Sequence, residues 1–188
     1  MKLDQAIEKR ASIKKFSPKE PKIENIIEAI EAANRAPSPG NLSILRYIII
    51  DDEETKNKIA EYTRQEFTKT APFIVIVCSD PKDAIRFYDT RAETYVKHHV
   101  GAAVENFLLK ITDLKLASCW VGAFSDTLKK ELKIPDNINI EVILPVGYPA
   151  ANQETKQKNK AKIYGKLFYN SFRNTFKTGR EMVRRDDI

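Results

Sequence analysis

The chain has 188 residues, 42% of them hydrophobic, with 32 Lys and Arg against 26 Asp and Glu for a formal net charge of +6. One domain with a real core fits this length, and no repeat or low-complexity stretch interrupts it. No run approaches the roughly 18 apolar residues of a membrane span, and "MKLDQAIEKR" lacks the apolar centre of a secretory signal, so a cytoplasmic protein with no membrane partner is expected.

Leu3, Ala6 and Ile7 predict a short amphipathic helix. "RASIKKF" follows as an extended segment in which Arg10, Ser12 and Lys14 occupy every second position, so their side chains leave one side of the chain. A solvated basic edge and a site for an anion both fit that pattern. From Pro21 a second helix carries Ile23, Ile26, Ile27 and Ile30 at the spacing of one apolar stripe. It stops at "APSPGN", a loop of Pro37, Ser38, Pro39, Gly40 and Asn41 with little helix potential. "RYIIID" reads as a strand.

"DDEETKNKIAEYTRQEF" reads as a helix with an acidic amino end, and "PFIVIVC", Pro72 to Cys78, as an interior strand. The longest helical pattern spans about Thr90 to Leu114, with Val100, Ala103, Val104, Phe107, Leu108 and Ile111 on one face. "ASCWVGAF" and "INIEVILPVGYP", Ile138 to Pro149, read as two further strands around a short helix from Asp126 to Leu132. Four strands plus helices predict a mixed domain of helix and sheet. After Pro149 the chain turns polar and basic, with Lys156, Lys158, Lys160 and Lys162 at every second position. Phe168, Tyr169, Phe172 and Phe176 then form a tail too aromatic for solvent.

Cys78 and Cys119 make no CxxC and no cluster with histidine, so buried free thiols and no metal site are expected. His98 and His99 point about 100° apart on a helix, which leaves them structural or surface residues. The six glycines form neither a dinucleotide-binding turn nor a P-loop. With no nucleophile and base in recognisable context, the chemistry falls to a cofactor. Phe87, Tyr88 and Tyr95 fit plain packing better than a pocket mouth.

"EKRASIKKF", "APSPGN", "TAPFIVIVC", "GAAVENFLLKITDLKLASCWVGAF" and "LPVGYP" together resemble, in order and spacing, the motifs of the nitroreductase family of FMN-dependent oxidoreductases. The resemblance runs to about Lys166 and implies an α+β fold, helices around a mostly antiparallel sheet, in an intertwined homodimer. Residues 1–166 would form the FMN-binding domain and 167–188 an extension packing on the partner subunit. The anion of the Arg10 segment is then FMN. Arg10 would hold its phosphate, Ser12, next to Ala11, would sit by the phosphate or ribityl chain, and Lys14 would reach the pyrimidine edge.

Lys160 and Lys162 match the family's late basic pair for the phosphate, and Pro37, Ser38, Pro39 and Asn41 its loop reaching FMN from the other subunit. Pro145 and Gly147 match the turn whose backbone faces the ring, and Gln65 approaches the ring edge. No side chain is assigned as catalytic. The implied activity is ping-pong transfer of electrons from NAD(P)H to a small acceptor: a nitroaromatic, a quinone or free flavin. Where the family continues Gln-Pro-Trp after the loop, this chain has Ser43, Ile44 and Leu45, which leaves room for a specialised reaction. A basic nucleic-acid protein using the lysines at 156–162 is a competing reading, recognisable by steep salt dependence and no chromophore; the family reading expects no nucleic acid.

Overall fold

The computed structural model describes residues 1–151, 163 and 166–174. In chain order these hold α1 (Leu3–Lys9), α2 (Ile23–Asn34), β1 (Leu45–Ile50), α3 (Glu53–Thr63), β2 (Phe73–Ser79), α4 (Lys82–Tyr88), α5 (Ala92–Asp113), β3 (Ala117–Ser118), α6 (Leu128–Glu131) and β4 (Asn139–Gly147). All seven residues of β2 are buried, as a near-continuous apolar run predicts, and such a strand needs cover on both faces. Phe73, Val75 and Val77 pack with Val142, Leu144 and Val146 of β4 beneath α2 and α5. Ile74, Ile76 and Cys78 face Ile59 of α3 and Leu128 of α6 on the other side. The sheet runs β1-β2-β4-β3, every neighbouring pair antiparallel. The architecture is therefore α+β, with helices on both sides of an antiparallel sheet.

The α5 stripe is buried at each expected position, from Val100 to Ile111. In α2 the buried line is Ile26, Ala29 and Ala33, while Ile23 and Ile27 are exposed. Small alanines let α2 lie close to α5, near enough for the Asn106 amide to donate to the Ala32 carbonyl at 3.3 Å; the flanking isoleucines are carried off the contact line. In α1 only Ala6 is buried, and Leu3 and Ile7 are exposed.

Two further expectations are corrected, and one element was not expected. The helix read to Phe67 ends at Thr63, where Arg64 turns left-handed at φ 53° and a 3₁₀ turn, Glu66–Thr70, follows. The strand read across "ASCWVGAF" is regular only at Ala117–Ser118; Val121 keeps the register with a bridge to Ile143, but Trp120 and Gly122 lie exposed. A helix, α4, occupies Lys82–Tyr88, which the spacing left without an element; Pro81 at its amino end was the available signal.

Between β2 and β4 the register shifts at Val77 and Cys78. Glu141 is the extra residue, and such a bulge re-aims a side chain. Its carboxylate, 3% exposed, accepts from Ser79 Oγ at 2.6 Å and pairs with Lys97 Nζ of α5 at 2.6 Å.

The chain divides into two compact units, Met1–Gln157 and Lys158–Ile188. Within the second, the Phe168 and Phe172 rings pack at 4.8 Å and Arg173 lies over Phe172. Phe176 lies outside the described residues. Among the described residues no helix is long and apolar enough to cross a membrane.

Candidate functional site

Residues 10–16 leave α1 and run along β3 as an added strip. Ser12 bridges Ser118 in parallel, and the Ile13 amide donates to the Ser118 carbonyl at 2.9 Å. Phe16 bridges Pro149, the Ser17 amide donates to Tyr148 O at 2.8 Å, and the Ala150 amide to Lys15 O at 3.0 Å. Ile13, 4% exposed, anchors the strip by burial. Backbone pairing at both ends fixes where the side chains between them point.

Ser12 and Lys14 share the side facing Cys119. Burial pushes the Cys119 thiol above its ordinary pKa, partly offset by the Lys14 charge and a Ser12 hydrogen bond. Lys14 Nζ also lies 5.1 Å over the Phe67 ring. Arg10 goes elsewhere: its Nε stands 3.4 Å from Glu105 on α5, and with Ala11, Ile13 and Ser118 it lines a cavity of about 330 Å³. Ser118 Oγ is buried there without a partner among the described residues. Lys9 and Lys115 line the same cavity, so its charged rim is basic.

The other expected residues fall as follows. Pro37–Asn41 forms a turn closed by the Asn41 amide on Ser38 O at 3.2 Å, with Gly40 and Asn41 left-handed at φ 56° and 57°. Pro37, Ser38 and Pro39 line a second cavity against Tyr88 and α5, so the fold puts them and Arg10 in different cavities. Gln65 precedes the 3₁₀ turn that carries Phe67, the ring under Lys14 Nζ, and its carbonyl accepts from Thr68 Oγ1 at 2.8 Å.

Pro145 and Gly147 belong to β4, opposite Ile74 and Ala117, and both are buried. A Cβ on Gly147 would stand 2.6 Å from Pro72 Cδ and 3.2 Å from Phe16 Cδ1, so glycine there lets Phe16 and Pro72 close on the strand. Lys160 and Lys162 lie outside the described residues.

The segment Trp120–Phe124 carried no expectation beyond strand. Val121 is bonded to Ile143 and the Ser125 amide to Tyr62 O at 3.0 Å, but the amides of Gly122, Ala123 and Phe124 take no part in those bonds. They lie in the loop that follows Cys119, the residue Ser12 and Lys14 face. The exposed Gly-Ala pair after a strand was the legible signal. Cys78, by contrast, is inert packing: its thiol is pushed up to about 11 by burial first and the Glu141 charge second. No group of three or more His, Cys, Asp or Glu suited to a metal occurs among the described residues.

This fold, a four-stranded antiparallel sheet edged by a donor-bearing strip, defines a class whose solved members superpose closely. One from Desulfovibrio desulfuricans, described as a "putative nitroreductase in complex with FMN", aligns at TM-score 0.80 and 25% identity over 92% of this chain and 98% of that one. A family model described as "Putative TM nitroreductase" matches residues 2–184, and the chain belongs to the nitroreductase family. An Archaeoglobus fulgidus protein named "Putative NADH dehydrogenase/NAD(P)H nitroreductase" is 32% identical, across 74% of this chain and 81% of its own. A Thermotoga neapolitana protein named iodotyrosine deiodinase is 27% identical, across 75% and 85%.

Proposed function

We propose that the chain is an FMN-dependent oxidoreductase that takes electrons from NAD(P)H and, in a second half-reaction, passes them to a nitroaromatic, quinone or flavin. The single observation that carries this is the strip at residues 10–16: it is held by backbone pairing at both ends and presents Ser12 and Lys14 toward Cys119, at the start of the exposed loop that runs through Gly122. These are donors throughout, suited to the oxygens and nitrogens of a flavin edge and its phosphate. The donor set fits FMN, which the Desulfovibrio relative is described as holding.

FMN when bound would supply the hydride-accepting ring; the protein binds, orients and excludes water. Arg10 is assigned to the phosphate, and Ser12, next to Ala11, to the phosphate or the ribityl chain; Lys160 and Lys162, which the resemblance assigns to the phosphate, lie outside the described residues. Lys14 reaches the pyrimidine edge and Gln65 the ring edge, while Pro145 and Gly147 set the floor. Pro37, Ser38, Pro39 and Asn41 serve the site of a partner chain. Their separation from Arg10 within one chain supports a homodimer with each site built from two copies. Residues 167–188 are proposed to pack on that partner.

A flavin-binding member with a specialised reaction is the second reading. Ile44 and Leu45, 1% and 6% exposed, go into the core where the family's Gln-Pro-Trp would otherwise shape the site, and one relative is named a deiodinase. The purified protein should be yellow and release FMN on denaturation. A preparation that stays colourless after incubation with FMN overturns both readings.

A further inference from the structure

Lys14 stands on a strip whose backbone is paired at both ends, but a flexible four-carbon stem separates that backbone from the charge. Apart from the Cys119 thiol, the one partner its ammonium has among the described residues is the face of the Phe67 ring, 5.1 Å from Nζ to the centroid. The ring itself has a firm seat. Phe67 is half-buried against the core that holds Ile59 and Ile74, and the 3₁₀ turn around it is braced from within. Thr70 Oγ1 donates to the Phe67 carbonyl at 2.7 Å, and the buried Thr68 donates through Oγ1 to the Gln65 carbonyl. Glu66, next to Phe67 in the chain, is paired with Lys69 at 2.6 Å, and no carboxylate among the described residues pairs with Lys14.

We propose that Phe67 is a positioning residue for Lys14, its ring face holding the ammonium on the side of the strip that faces Cys119, with the charge uncancelled. The face of an aromatic ring is the negative part of its quadrupole, so it attracts a cation without supplying a counter-charge. A carboxylate in the same place would hold Lys14 as well but neutralise it. The contact also occupies none of the ammonium's N–H donors with a hydrogen bond, and these are left to a ligand and to water. That the held charge serves a flavin edge rests on the proposed function; that Phe67 holds it rests on the geometry of the strip and the turn.

The test uses purified full-length protein labelled with ¹³C-lysine, its FMN content read from its absorbance. The ring shields what lies over its face, so the Lys14 ε-methylene signal, identified as the one that Lys14→Met removes, should lie upfield of solvated lysines. Phe67→Leu, which keeps an apolar group of similar size, should return it to their range, and Phe67→Tyr should keep it displaced. Lys19, 4.9 Å over the Tyr148 ring, gives a second displaced signal that neither variant should move. In FMN-loaded protein, Phe67→Leu should reduce the preference for reduced over oxidised FMN, read from the midpoint potential, by about two- to fivefold, the worth of a cation–π contact at an exposed site. Phe67→Tyr should restore it. In a Lys14→Met background, Phe67→Leu should leave the potential where it is, since a residue acting through another then has nothing to act on.

An undisplaced Lys14 signal in the wild type, an unchanged potential in Phe67→Leu, or an equal fall in potential with and without Lys14 would each overturn the proposal. Should Phe67→Leu fail to fold, the wild-type Lys14 signal and the same measurements on Phe67→Met decide. A displaced Lys14 signal in protein that cannot take up FMN overturns the proposed function alone; FMN-loaded protein with an undisplaced signal overturns this inference alone.

Discussion

Lys14 combines three surroundings: the buried Cys119 thiol, the Phe67 ring 5.1 Å from its Nζ, and open solvent. None of those contacts is an ion pair, and under the proposed function its charge serves the flavin. An ammonium near a flavin edge stabilises the more negative redox form, a differential interaction of the kind that lowers a barrier. Lys14→Met keeps the stem and removes the charge. The variant should hold nearly as much FMN, show a lower midpoint potential, and be reduced by NAD(P)H about tenfold or more slowly if one to two kcal/mol is lost; redox titration and stopped-flow reduction check both. The alternation of Arg10, Ser12 and Lys14 was legible, because period two is a property of the extended chain. That Arg10 faces Glu105 instead was not, since α5 is distant in sequence. The histidine pair was half legible: 100° between neighbours puts His98 outside and His99 inside, but spacing says nothing of what surrounds Nδ1.

Among the elements, α3 shows how a helix start depends on one side chain. Asp52 Oδ1 accepts from the Thr55 amide at 2.8 Å, satisfying one of the amides a helix leaves unpaired at its amino end. The Thr55 backbone bond, followed by the bond to its side chain, holds the Asp52 carboxyl below its ordinary value of 3.8. A carboxyl depressed in the folded state contributes stability above its unfolded pKa and loses it as pH falls through the folded value. Asp52→Ala should therefore lower the urea midpoint at pH 7, and the gap from wild type should close as pH drops below 3.8; urea titrations at several pH values measure it.

The long periodic elements, α5 and β2, were legible because twenty or so residues of stripe, or seven unbroken apolar ones, leave few alternatives. The failures were local. Residues 119–124 have strand composition, yet Gly122 and Ala123 give a sheet nothing to bury, and the pairing partner lies in β4. In α2 the isoleucines outweighed the alanines on paper, whereas the close approach to α5 favours the small residues.

At the scale of the whole molecule, Arg10 and Ala11 line one cavity and Pro37, Ser38 and Pro39 line another. A chain that completes its site with a second copy predicts an asymmetric outcome in mixed assemblies. Coexpressing Arg10→Ala chains with Asn41→Ala chains should give heterodimers with one intact and one doubly damaged site, hence about half the flavin at full affinity. Two equally weakened sites, counted by flavin titration, would place both sets on one protomer's cofactor. Sequence motifs implied this division only through resemblance, because no pattern within a chain records which copy a loop will serve.

Gly40 sits directly under Tyr88: a Cβ there would stand 2.6 Å from Tyr88 Oη, and both Gly40 and Asn41 are left-handed. The loop and the corner between α4 and α5 are thus coupled, in the sense of a double-mutant cycle. Gly40→Ala adds strain at positive φ and a collision with the hydroxyl; Tyr88→Phe removes only the collision. Unfolding measurements on the two single variants and the double should therefore not add, the double being less destabilised than the sum by about 0.5 to 3 kcal/mol. The absence of a side chain at Gly40 is thus what leaves the Tyr88 hydroxyl its place: any residue larger than glycine there would have to displace the ring, and with it the edge-to-face contact that Tyr88 makes with Tyr95.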